Sequence, residues 1–225
     1  AVYENLDRMR GMEVFLDNVG AVSMNSVRTG LDNAGSKGAN KIAVFEQLMD
    51  SQTLVVTANT STLYAYTFTD LVNDGPTVIE IPPGMLGFLN DAWQRFVGNM
   101  GVTGPDEGKG GKYLVLPPKD AAKPAPTEYI NVSMKAFNTV FPSDFSYYEN
   151  LNEVIQNEPI DAINPEVRGA IAAIGIVKGK PFAPDARMKK LLTEASTLGA
   201  ATSRVITYHP RIDGVNIYPD DPNSI

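Results

Sequence analysis

Between Gly104 and Tyr113 the chain reads Gly-Pro-Asp-Glu-Gly-Lys-Gly-Gly-Lys-Tyr: four glycines, two lysines and two carboxylates in ten residues. No helix or strand interior accommodates glycine at that density without a large entropic cost. The stretch is therefore a turn, and the chain on either side must arrange itself about it. The apolar run that leaves it, Tyr113–Leu116, is stopped by Pro117-Pro118. Backbone N–H groups of Gly108, Gly110 and Gly111 can line an anion-binding nest, and Lys109 and Lys112 add positive charge. Asp106 and Glu107 offer oxygen ligands to a divalent cation such as Mg²⁺, Ca²⁺ or Mn²⁺. The same composition also makes an ordinary polar turn ahead of an edge strand. It is not a Walker A loop, because Gly108-Lys109 is not followed by Ser or Thr. Nor is it a dinucleotide fingerprint, which would follow a strand and open a helix.

The rest of the chain falls into three parts. Residues 2–20 have helical spacing in Val2, Leu6, Met9, Phe15, Leu16 and Val19, and predict an amphipathic helix. Asn25–Asn40, with Gly30, Asn33, Gly35, Ser36 and Gly38, reads as a loop, and Ile42–Leu48 is ambiguous. From Thr53 the pattern becomes β. Thr53–Thr57, Thr62–Thr69, Thr77–Ile81, Tyr113–Leu116 and Glu128–Phe141 read as short strands. Turns at 58–61 and 70–76 separate the earlier ones, and Asp74-Gly75 is a favoured hairpin dipeptide. Phe88–Val97 alternates in a way that suits a strand lining a cleft as well as it suits a helix. Beyond Tyr148 the chain turns helical: Tyr148–Gln156, then Ile160–Ile176, expected to pack against the β layer. A last helix opened by Pro184-Asp185 has the apolar stripe Met188, Leu191, Leu192, Ala195 and Leu198. The resulting fold class is α+β: an antiparallel sandwich-like β core with an N-terminal helix and a helical last third. Residues 1–210 read as one domain and 211–225, rich in Pro, Asp and Asn, as a linker.

Charge and composition limit the function. A net charge of −7 disfavours nucleic acid, whose phosphates need a basic face. No apolar run reaches the length of a membrane span. There are no cysteines and one histidine, His209, which leaves out a zinc site of the usual type and makes a Ser-His-Asp triad a remote reading; no Gly-x-Ser-x-Gly motif is present. Any metal would be held by oxygens, from Asp70, Asp91, Asp106 or Glu107. Tyr64, Tyr66, Phe68, Trp93 and Tyr113 either stack on a sugar or apolar ligand or pack across strands. The start, Ala1-Val2-Tyr3, lacks an initiator Met, as removal of a signal peptide or other trimming would leave it.

Several ordered motifs resemble one family. Val56–Tyr64, Asp70-Leu71, Gly75–Pro83, Gly104–Pro118 and Gly175–Met188 are similar to blocks of the bacterial family catalogued as domain of unknown function 1254. The resemblance implies a β-sandwich-like domain with flanking helices, export to the periplasm, and a following second β-rich domain, numbered 1214. The family's first motif often has Asp where this chain has Ser61, which removes one candidate metal ligand.

Together these features lead to an expectation of a metal-assisted hydrolase acting on a phosphorylated small molecule. Asp91, Arg95 and Lys112 would be catalytic, and Asp91 and Asp106 would hold the cation. Asn59, Tyr64, Trp93, Gly108, Lys109, Gly110 and Gly111 would bind the ligand. The alternatives are a non-catalytic envelope or ligand-binding module, and one half of a two-domain structural protein. The partners expected are a small molecule, the second β-rich domain and a further copy of the chain.

Overall fold

The computed structural model describes residues 1–50, 53, 59–117, 128–131, 142–208, 211–212 and 215–216. The predicted strand at Thr53–Thr57 lies almost wholly outside the described residues, as do the later part of Glu128–Phe141 and His209. The chain forms two compact units, Ala1–Val22 with Phe141–Ile225, and Ser23–Val140.

The first unit is helical. Its elements are α1 (Val2–Asp17), the start of α2 (Val19–Asn33), α3 (Ser146–Asn157), α4 (Pro165–Ala173) and α5 (Ala186–Tyr208). Its packing rests on small residues where α1 meets α5. A Cβ on Gly11 would stand 2.8 Å from the Ala195 Cβ, and one on Gly199 would stand 2.6 Å from the Phe15 ring. Tyr147 and Tyr148, fully buried on α3, donate to the α1 carbonyls of Phe15 (2.7 Å) and Gly11 (3.0 Å). Those bonds satisfy hydroxyls that would otherwise be buried without a partner. Burial pushes both phenols well above the ordinary tyrosine range. The buried side of α1 is Gly11, Val14 and Phe15, whereas Val2 and Met9, which the spacing puts on the apolar face, are exposed. α5 begins where Pro184-Asp185 predicts, with the Asp185 carboxylate accepting from Met188 N at 2.7 Å. α4 packs against α1; the expected β layer belongs to the other unit.

Among the described residues the second unit holds seven short strands. The loop expected at Asn25–Asn40 is helical as far as Asn33, because Val27 and Leu31 bury against Ala43 and Phe45 with Met24 alongside. That i, i+3, i+7 spacing outweighs the polar residues between. β1 (Lys41–Val44) is the centre of a three-stranded sheet, between β2 (Ala65–Thr67) and β7 (Glu128–Asn131). β2 is antiparallel to β1 and β7 is parallel to it. β3 (Thr77–Ile81) pairs with β6 (Gly111–Val115), and β4 (Leu86–Asn90) with β5 (Phe96–Gly101), as two antiparallel ribbons. Asp74-Gly75 does not close a hairpin, because β2 and β3 lie in different sheets. The inner faces of the ribbons meet at Ile79, Ile81 and Met100, with Leu89, Tyr113 and Val115 packed around them. At the start of the stretch read as a linker, β8 (Arg211–Ile212) pairs with β9 (Val215–Asn216).

A Gly199→Ala substitution tests the helix contact. Helix propensity alone would stabilise by about 1 kcal/mol. The new methyl group meets a fully buried ring that is itself 4.1 Å from the Tyr147 ring. It has nowhere to retreat, so overpacking of about 1–3 kcal/mol prevails. The urea midpoint should fall; a rise would show that α1 and α5 are farther apart.

Candidate functional site

The glycine-rich loop joins β5 to β6, and its shape follows from one carboxylate. Asp106 Oδ1 accepts from Gly101 N at 2.7 Å and from the Tyr113 hydroxyl, and Oδ2 accepts from Gly110 N at 3.0 Å. The Tyr113 hydroxyl and the two N–H groups hold Asp106 below the usual carboxylate range, against some desolvation. Burial and the facing carboxylate raise the Tyr113 phenol. At Gly101 and Gly110 both the backbone conformation and the space available require glycine. Gly101 has φ +74°, and a Cβ there would run into the Met85 carbonyl. Gly110 has φ +81°, and a Cβ there would stand 2.8 Å from Pro83 N. The Gly110 N–H that the sequence offers to a bound anion is therefore engaged by the protein's own anion. Gly111 is the first residue of β6, opposite Ile81, while Gly108 N donates to Gly101 O at 3.1 Å.

Lys109, Lys112, Asp91 and Arg95 each sit beside a partner of opposite sign. Lys109 Nζ lies 2.7 Å from Glu107, and Lys112 Nζ lies 3.3 Å from Glu80, directly across the β3–β6 ribbon. Strand alternation turns Lys112 to solvent and the neighbouring Tyr113 to the half-buried side. Asp91 and Arg95 close the tip of the β4–β5 hairpin. Asp91 Oδ1 accepts from Trp93 N and Arg95 N, both at 2.9 Å, and Oδ2 accepts from Arg95 Nε at 2.7 Å. Gln94 takes φ +62° within this turn. Trp93 is half-buried beside it. Asn59 organises a different turn: its Oδ1 accepts from Ser61 N and Thr62 N at 2.9 and 3.0 Å. Tyr64 packs edge-on to Tyr66, at 5.5 Å between ring centres, against the Phe45 cluster. The structure thus groups Asp106 with Gly101, Gly110 and Tyr113, and Asp91 with Trp93 and Arg95. Asn59 and Tyr64 belong to the β1–β2 region. Among the described residues no three His, Asp or Glu side chains gather as a metal site.

Sequence reasoning missed the hairpin itself. Phe88–Val97, read as one element, is the end of β4, a turn and the start of β5. A bulge interrupts the pairing at Leu89/Asn90, so that Asn90 faces Phe96 while Leu89 faces Gly98. Met100 on the inner face is buried. The outer face exposes Leu86 (69 %), Phe88 (65 %), Phe96 (66 %) and Val97 (59 %). Four large apolar side chains left in water on one short ribbon are a marked departure from scattered surface exposure. The signal available in the sequence was the Asp91–Arg95 spacing, which a carboxylate-closed loop between two strands explains.

The profile of the family described as "Protein of unknown function (DUF1254)" matches residues 39–154, just over half of the chain. The chain belongs to this family. No curated protein matches it. The DUF1254 match runs from before β1 into α3, so it takes in both the Asp106 loop and the hairpin. Among the described residues no helix is long and apolar enough to cross a membrane.

Two substitutions test the loop of this DUF1254 chain. Gly110→Ala should cost about 1–3 kcal/mol, the range for a non-glycine residue forced to positive φ, read as a fall in the denaturation midpoint. Asp106→Asn tests the sign of the carboxylate's contribution. A folded pKa below the unfolded one means that the contribution is complete above the ordinary value of about 3.9. It is lost as pH falls through the lower folded value. Wild type should therefore exceed Asp106→Asn in melting temperature at neutral pH, with the gap closing in the acid range below the ordinary value. A gap that stays constant down to full protonation would remove the carboxylate from the account.

Proposed function

We propose that this protein is a non-catalytic binding module of the cell envelope, and that it binds through the outer face of the β4–β5 ribbon. The observation that carries the reading is the clustering of Leu86, Phe88, Phe96 and Val97, all exposed, on that face. The opposite face is anchored in the Ile79, Ile81 and Met100 cluster, so the ribbon offers its outer side chains from a fixed support. Exposed apolar side chains on a rigid element oppose solubility and are characteristic of interaction surfaces. The charge pairings favour this reading over the hydrolase one. Phosphoryl chemistry needs unspent charge aimed at one small volume, whereas Arg95, Lys109 and Lys112 each lie beside a carboxylate.

A double substitution, Phe88→Lys with Phe96→Lys, provides the test. Both side chains are exposed, so the unfolding free energy should change by no more than about 0.5 kcal/mol per substitution. Binding of an apolar fluorescent dye should fall several-fold. Dye binding unchanged by the double substitution would place the binding surface elsewhere. Turnover of p-nitrophenyl phosphate with Mg²⁺, Ca²⁺ or Mn²⁺, abolished by Asp91→Asn, would replace this reading with the hydrolase one.

A further inference from the structure

We infer that the ligand of the β4–β5 face is an uncharged polysaccharide, an assignment that rests on the binding-module reading above. The apolar side chains are only half of what the face presents. Across the ribbon Phe88 is paired with Asn99, and on the far side of the bulge Asn90 is paired with Phe96. All four are exposed. Two aromatic rings and two primary amides thus alternate in a diagonal pattern on one open surface. Asn90 Nδ2 makes one long contact, 3.5 Å to Gln94 Oε1.

Each component restricts the ligand. An aromatic ring gives an apolar platform with a negative face, suited to the C–H side of a pyranose ring. A primary amide donates and accepts at once, as does a sugar hydroxyl. A lipid chain or a dry apolar protein surface would leave both amides desolvated without partners, which opposes binding. A ligand with hydroxyl groups beside its apolar face avoids that cost. The face has no ionised side chain until the tip, where Asp91 and Arg95 pair with each other at 2.6 Å. The chain as a whole is at −7. An anionic polymer would therefore meet no attraction here and a general repulsion. Diagonal cross-strand neighbours lie roughly 7–8 Å apart. The two rings therefore sit side by side, as contact with successive units of a chain requires, and not stacked on one unit. The side chains of the face are exposed, which also favours a polymer that engages it repeatedly.

Affinity electrophoresis of the 225-residue chain through gels containing hydroxyethylcellulose, glucomannan or dextran tests the assignment, with alginate as the anionic comparison and phosphatidylcholine vesicles in a separate sedimentation assay. At least one neutral polymer should retard the protein and alginate should not. Phe88→Ala should weaken the apparent association about tenfold, in line with the larger aromatic contributions. Asn99→Leu is the decisive variant. It adds apolar surface, so it should raise dye binding while reducing retardation by the polymer. Absence of retardation by all three neutral polymers overturns the inference, and so does vesicle binding that Asn99→Leu strengthens. If the wild type still binds the apolar dye in a Phe88-dependent way while ignoring the polymers, the glycan assignment alone fails. Loss of both responses ends the binding-module reading as well.

Discussion

The Asp106 carboxylate sets the geometry of the β-rich unit. A ten-residue stretch with four glycines has little intrinsic preference for one path, and its conformational entropy opposes any single one. Three donors converging on one carboxylate supply the preference, since hydrogen bonds to an ionised acceptor are among the stronger ones available. With Gly101 N and Gly110 N held on the same side chain, the exit of β5 and the entry of β6 are fixed together. Tyr113, the third donor, is also part of the apolar layer between the ribbons. One residue therefore joins the loop to the core, and the two ribbons acquire a defined separation.

That arrangement changes the meaning of the loop's composition. Glycines, lysines and carboxylates in close sequence suggest a place for an external anion or cation. In the folded chain the anion is internal and each nearby lysine stands next to a carboxylate of its own. The chemistry is the same as in a phosphate-binding nest, but its occupant is covalently attached. The surface that remains available to other molecules is then the one built from uncharged side chains.

Parts of this were legible in the sequence for clear reasons. Thr77–Ile81 and Tyr113–Leu116 are short β-branched or aromatic runs between strong stops, and both are strands. Pro184-Asp185 opens α5 because proline's fixed φ and a capping carboxylate act locally. α2 was obscured because its signal, Val27 and Leu31, lies among serine, asparagine and glycine, and only the contact with Phe45 gives it weight. The β4–β5 hairpin was obscured because its turn lacks the usual glycine dipeptide. It depends instead on the Asp91 side chain and on Gln94 at φ +62°, a conformation non-glycine residues adopt at some cost. Of the candidate site residues, the sequence located the Asp106 loop and the Asp91–Arg95 pair. It could not tell that their charges satisfy the chain itself, because that depends on side-chain direction and not on spacing.

The bulge in the ribbon makes the division between its two faces a matter of residue count. Side chains along a strand alternate with a period of two, so the extra residue between the Leu89–Gly98 and Asn90–Phe96 pairs resets which of them look outward. Phe96 and Val97 are consecutive yet both exposed; regular alternation over the same residues would turn Phe96 to the side of Met100. Side-chain identity alone therefore does not define this surface. A chain that kept these residues but paired them without the irregularity at Leu89/Asn90 would present a different face.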